Sequence, residues 1–259
     1  MSEHAPAALF VVFAWWASTG FVLWIDGLPR STVRFSVGAA TALALAALLG
    51  LWWSSGLQSS AGAYLAFSSA LALWGWHELT FLLGLVTGPR KIACPPGARG
   101  WARFRYATLA VIHHELALAL TLAAVLALTG GAPNQVGARA FLVLWVMRLS
   151  AKLNVFLGVR NLTEQFIPEH LAYLVSYFRR ARWNPLMPVS LLATAAVLVW
   201  WVAQPVPAGA TALATVGRTL VATLLGLALL EHLFLALPVP DALLWRWAMR
   251  RDAGGAARP

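Results

Sequence analysis

Predominantly apolar runs of about 18 or more residues recur along the whole chain, each long enough to cross about 30 Å of hydrocarbon as a helix. They fall at about 8–25, 33–53, 61–87, 105–129, 139–159, 186–204 and 212–237. Inside a bilayer no water satisfies a backbone N–H or C=O, so a spanning segment is either a helix or part of a closed barrel. Barrel strands alternate apolar and polar residues over about 10 positions, whereas these runs are apolar throughout. The expected fold is therefore an all-α polytopic transmembrane helical bundle of about seven spans, embedded in a lipid bilayer. Composition agrees: 60% of residues are hydrophobic and 11% charged, against about 45–50% and 25% in soluble domains. That balance excludes a soluble single-domain enzyme.

Turn-forming clusters separate the runs, among them GLPR (27–30), SSGLQSS (54–60), GGAPNQVG (130–137) and QPVPAG (204–209). No internal repeat is visible. MSEHAPA, at the start, carries no Lys or Arg before the first run, so it lacks the basic region of a cleaved signal peptide, and the run is expected to persist as a helix. The chain reads as one transmembrane domain over 1–245 and a basic cytoplasmic tail over 246–259. Residues 163–182 are too polar to span but place Phe166, Leu171, Leu174, Val175 and Phe178 at helical spacing, which predicts an interfacial or re-entrant cytoplasmic helix.

Fifteen of the 19 Lys and Arg residues fall in the loops after spans one, three and five or after span seven. Only Arg139 and Arg218 fall on the alternate side, while Arg148 and Lys152 lie within the fifth span. The bias places the N-terminus outside and the C-terminus in the cytoplasm. It also accounts for the net charge of +10 without nucleic acid, because the arginines form no continuous basic helix or aromatic platform. Tryptophan pairs such as Trp52–Trp53 and Trp200–Trp201 sit at expected helix ends, as in an aromatic belt. The single cysteine, Cys94, excludes an internal disulfide and a cysteine-based metal cage.

The informative residues are the ionisable ones inside apolar runs. Glu78, Glu115 and Glu231, with Arg148 and Lys152, make five groups whose insertion costs about 2.5–3.5 kcal/mol each. The total, about 12–18 kcal/mol, matches the whole net stability of a typical protein, so the groups need partners. Histidines accompany the acids: His77 precedes Glu78, His113 and His114 precede Glu115, His170 follows Glu169, and His232 follows Glu231. At about 1.5 Å per residue, four spans deliver these groups to one layer in the cytoplasmic half, which the 163–182 helix could cap.

Three readings compete for this layer. One is a buried ion-pair network in which Arg148 and Lys152 neutralise two of the three carboxylates. Asn154, beside Lys152, would join it through a hydrogen-bond partner, whereas Asn134 caps or turns a loop. The second is a metal site, mononuclear or di-iron-like, drawing on His77, Glu78, His114, Glu115, Glu169, His170, Glu231 and His232, a donor set suited to Fe, Zn or Mn. Against it, adjacent helical residues point about 100° apart, so one His–Glu step does not aim both groups at one ion. The third is a histidine ligand to haem or another pigment. No P-loop, G-x-G-x-x-G, H-E-x-x-H or G-x-S-x-G motif is present, which removes the usual support for nucleotide-driven transport, dinucleotide chemistry and standard hydrolases. Intramembrane charge can also mark a transporter, but no broken-helix repeat supports that.

WHELTFLLGLVTGPR (76–90), IHHELALAL (112–120), APNQVG (132–137), LWVMRLSAKLNVFLGVRNL (144–162), PEHLAYLVSYF (168–178) and LEHLFLALPVPDALLW (230–245) resemble the photosynthetic complex assembly protein 2 family. That family comprises PuhE-type membrane proteins encoded beside the reaction-centre H subunit in purple phototrophic bacteria. The similarity runs from about 60 to 247, and RLSAKLNVFLGVRN is its most specific part. The resemblance implies a role in reaction-centre and light-harvesting assembly or bacteriochlorophyll supply, with photosynthetic complex subunits or pigment-synthesis enzymes as partners. It carries over no catalytic residue. The alternative from a different class is a membrane metalloenzyme acting on a tetrapyrrole or isoprenoid pigment.

Overall fold

The computed structural model describes residues 3–162, 164–205 and 211–249. Seven long helices stand where the apolar runs stand: α1 (His4–Asp26), α2 (Val33–Ser55), α3 (Ser60–Leu82), α4 (Gly100–Thr129), α5 (Val136–Leu157), α6 (Leu186–Ala203) and α7 (Ala212–Ala236). Six of them have the length and apolarity to cross a membrane. α3 has the length, but Ser, Gly, His and Glu dilute its hydropathy. The packing explains why this is tolerated: α3 touches α1, α2, α4, α5 and α7, so neighbouring helices shield it from lipid. Its small residues Gly62, Ala66 and Ala70 recur every fourth position and are buried. Such a stripe lets helix backbones approach closely where no hydrophobic effect drives association. Gly137 of α5 uses that approach, since a Cβ there would stand 2.9 Å from the Ala66 carbonyl oxygen.

The helices run alternately between two ends of the bundle. At one end Asn134 joins three of them. Its Nδ2 donates to the carbonyls of Ser54 (2.9 Å) and Gly62 (3.0 Å), and its Oδ1 accepts from the Val136 N–H that opens α5. At the other end Arg103 of α4 donates to the carbonyls of Phe156 and Tyr177, and its guanidinium lies 4.1 Å over the Phe156 ring. Asn184 there donates to the Gly158 carbonyl and accepts from the N–H groups of Leu186 and Met187, so Asn184-Pro185 starts α6 as a capping residue followed by proline.

Two local expectations are corrected. The third apolar run continues to about 87, but α3 stops at Leu82 because Gly84, at φ 75°, closes it. Gly84 N–H bonds the Phe81 carbonyl and Leu85 N–H the Thr80 carbonyl, the paired pattern of a left-handed helix stop. The residues beyond it form a loop instead, in which Leu85 is exposed and Thr87 and Gly88 are buried. There Thr87 and Gly88 lie against α4: the Thr87 carbonyl accepts from His114 N–H (3.0 Å), and Arg90 N–H donates to the Leu109 carbonyl (3.2 Å). Non-helical backbone at membrane depth survives only when protein satisfies it in this way.

Residues 164–182 form no α-helix either. Among the described residues they hold short 3-10 turns at Glu164–Phe166 and Glu169–Tyr177. With three residues per turn the buried face becomes Leu171, Leu174 and Tyr177. Tyr177 thus replaces Val175 and Phe178, which are only half-buried. After α7, Trp245 donates through Nε1 to the Trp16 carbonyl, and Trp247 rests 5.3 Å from the Trp16 ring, so packing against α1 extends through Ala248. Arg250, Arg251 and Arg258 of the basic tail lie outside the described residues.

Gly88 gives a sharp test. A Cβ there would sit 2.6 Å from the Ala110 carbonyl carbon, and backbone cannot swing aside. Gly88→Ala should lower stability by about 1–3 kcal/mol, read as a reduced thermal midpoint in detergent. An unchanged midpoint would show that the loop does not cross α4 at this contact.

Candidate functional site

α5 carries the polar centre on two faces. Arg148 and Lys152 are four residues apart and share one side, while Ser150 and Asn154 share another roughly 200° away. On the first side Arg148 Nη2 stands 3.0 Å from Glu78 Oε2 of α3, and Lys152 Nζ stands 2.5 Å from Glu115 Oε1 of α4. One helix thereby ties down two others through charge. The carboxylates are well shielded, with side-chain exposures of 14% for Glu78 and 16% for Glu115. In such surroundings an ion left without its partner is far more costly than the pair.

The other side of α5 holds a neutral chain. His232 of α7 donates through Nδ1 to the Ala228 carbonyl (2.9 Å), which leaves Nε2 as the acceptor facing the Ser150 hydroxyl, also at 2.9 Å. The Ser150 and Ser190 hydroxyls are 3.0 Å apart, and Asn154 Nδ2 donates to Ser190 Oγ (2.9 Å) and to the Ser150 carbonyl (3.0 Å). Both nitrogens of His232 are therefore engaged, and α5, α6 and α7 are joined without net charge.

On the charged side, His114 is fully buried, and neither ring nitrogen has a hydrogen-bond partner. Its Nε2 lies 4.0 Å from Glu78 Oε1, another buried atom without one. His77, with ring centroid 6.4 Å from that of His114, engages Thr121 Oγ1 through Nε2 (2.9 Å) and leaves Nδ1 without a hydrogen bond. Glu231 accepts from Trp15 Nε1 at 2.7 Å. The expected acidic and histidine groups do not all meet: Glu169 and His170 stay at the bundle end, where His170 Nε2 bonds the Leu82 carbonyl, and Glu164 pairs with Arg180. Among the described residues no three His, Cys, Asp or Glu side chains stand close enough together to hold one metal ion.

Two cavities flank Arg148. The first, about 220 Å³, is lined by Trp15, Glu78, Arg148, Glu231 and the loop residues Phe166 and Ile167. The second, about 180 Å³, is lined by Phe81, Arg148, Lys152, Ile167 and Tyr177. Ile167 and Phe81 border both, so the 3-10 segment closes the polar layer from the bundle end. Sequence reasoning did not find Trp15, Thr121, Ser150 or Ser190. Of these, Ser150 had a signal, because R-x-S-x-K-x-N over 148–154 places polar residues on two faces of one helix.

This architecture defines a polytopic helical membrane protein with a charge-paired interior. The family model described as "Protein of unknown function (DUF3623)" matches residues 1–255, and the chain belongs to that family. It is 40% identical over 255 residues to the "Uncharacterized 30.4 kDa protein in puhA 5'region" of Rhodobacter capsulatus, covering 96% of this chain and 92% of that one. No solved structure matches.

Ser150→Ala tests the neutral chain. It leaves His232 Nε2 buried without a donor and should lower stability by about 1–3 kcal/mol. Ser150→Thr, which keeps the hydroxyl, should retain most of the wild-type midpoint. Equal midpoints for Ser150→Ala and wild type would remove Ser150 from this role.

Proposed function

We propose that the chain is an integral-membrane assembly factor of the bacterial photosynthetic apparatus, acting on reaction-centre and light-harvesting complex formation or on bacteriochlorophyll supply. The observation that carries this reading is the near end-to-end match to the Rhodobacter capsulatus protein of the puhA 5' region. The resemblance of RLSAKLNVFLGVRN to the assembly family points the same way. The interior supports a scaffold: Arg148 and Lys152 are engaged with carboxylates, His232 with Ser150 and Ala228, and His170 with Leu82. The two flanking cavities, about 220 and 180 Å³, are smaller than the roughly 300–1,000 Å³ of pockets that enclose drug-sized ligands.

In this proposal the N-terminus lies outside and the C-terminus in the cytoplasm, which puts the 3-10 segment and the arginine-rich loops where they can meet newly made subunits or pigment enzymes. A cytoplasm-active reporter fused after Arg250 should then be active, as should a periplasm-active one in the loop at Asn134. The reverse pattern would overturn the orientation.

Deleting the gene from the organism that encodes it should reduce assembled complexes without accumulation of a pigment precursor, seen in membrane absorption spectra and pigment extracts. An accumulating precursor, together with stoichiometric metal in the purified protein, would instead establish the metalloenzyme alternative, with His77, His114 and Glu78 as the nearest donors. The assembly reading expects less than about a tenth of an equivalent of transition metal, because no three donors converge among the described residues.

A further inference from the structure

Arg139 and Arg218, the two cations on the side opposite the arginine-rich loops, border one cavity of about 350 Å³ at the Asn134 end of the bundle. Among the described residues lining it there is no Asp or Glu. Both arginines are held in place. The Arg139 guanidinium lies over the Trp201 ring, 5.4 Å from its centroid. Arg218 Nη2 donates to the Val202 and Gln204 carbonyls at the end of α6, and Trp201 Nε1 donates to the Arg218 carbonyl.

Two further features make the cavity positive. The first turns of α5 and α7 open onto it, through Gln135 and Val136 on one side and Thr211 and Ala214 on the other. Each helix N-terminus carries about half a positive charge. The amide of Gln58 adds a neutral donor on the rim. The C-terminal carbonyls of α6 also reach this space and are met by Arg218, so the net positive potential comes from Arg139 and the two helix N-termini, with no carboxylate among the described lining residues to offset it. The cavity also sits at the level of Trp200 and Trp201, the depth at which phospholipid headgroups meet a membrane protein.

We propose that Arg139 and Arg218, with the N-terminal turns of α5 and α7, form a binding site for a phosphate-bearing anion. Arg139 provides the forked donor that fits a phosphate, and Arg218 fixes the opposite wall. The phosphate comes either from an anionic phospholipid headgroup or from the free ion. This is separate from the polar centre on α5, and failure of the assembly reading would leave it standing.

The test uses full-length protein, delipidated in detergent and titrated with phosphatidylglycerol or with inorganic phosphate, and reads thermal midpoint and apparent affinity. Wild type should be stabilised in a saturable way, and Arg139→Gln should bind about tenfold more weakly, as expected for one lost charge-assisted contact. Saturation by phosphatidylglycerol alone identifies a lipid headgroup, and saturation by phosphate alone identifies the free ion. Gln58→Glu keeps every arginine contact but sets a carboxylate on the rim. It should also weaken binding, so the proposal stays testable if Arg139→Gln accumulates poorly. Equal responses in wild type and Gln58→Glu, or no stabilisation of wild type by either anion, would overturn it.

Discussion

A charge inside a bilayer must be met by another group, and α5 carries two of them within one turn. Arg148 and Lys152 point the same way and reach Glu78 on α3 and Glu115 on α4. Each single intramembrane charge costs a few kcal/mol, so the two pairs act as requirements on where α3 and α4 can lie. On the opposite face, Ser150 and Asn154 impose the same kind of requirement on α6 and α7 by neutral hydrogen bonds. Apolar side chains are as content against lipid as against each other, and so cannot single out one arrangement. The polar residues of α5, with the small-residue stripe of α3, do.

This order of constraints explains what the sequence made legible. Run length and apolarity located the six lipid-facing helices, because lipid imposes both on an exposed span, and run length located α3, which its neighbours shield. The need to pair Arg148 and Lys152 was equally readable, since the insertion penalty depends on depth and not on neighbours. Which acid each cation meets was not readable, because depth along an axis says nothing about the direction a side chain faces. The same gap hid the separation of His232 from His77 and His114, which approach α5 from different sides. Gly84 and Tyr177 show a second kind of gap. Apolar residues continue past Gly84, so hydropathy hides the helix stop, and the 3-10 turns of 169–177 bury a period-three set that an α-helical reading assigns to Val175 and Phe178.

The interior also bears on function. A catalytic metal centre needs several donors aimed at one point with a position left open. Here Glu78, Glu115 and Glu231 are engaged on separate helices by Arg148, Lys152 and Trp15, and His232 is held by its neighbours. His114 and His77 retain nitrogens without hydrogen bonds, next to Glu78, and are the part of the layer with binding capacity to spare. The described surface agrees with lipid around the belt and with loops of positive charge at one end.

The most direct test of this account is a double-mutant cycle on Arg148 and Glu78 in the purified protein. Arg148→Met alone leaves Glu78 without its cation and should destabilise by up to about 3–5 kcal/mol, whereas adding Glu78→Gln should restore most of the loss. The account predicts a coupling energy of at least about 1 kcal/mol between the two substitutions, within the range found for residues in direct contact. Strictly additive effects, with the double variant as unstable as the sum of the two single ones, would show that the intramembrane pair does not hold α3 against α5.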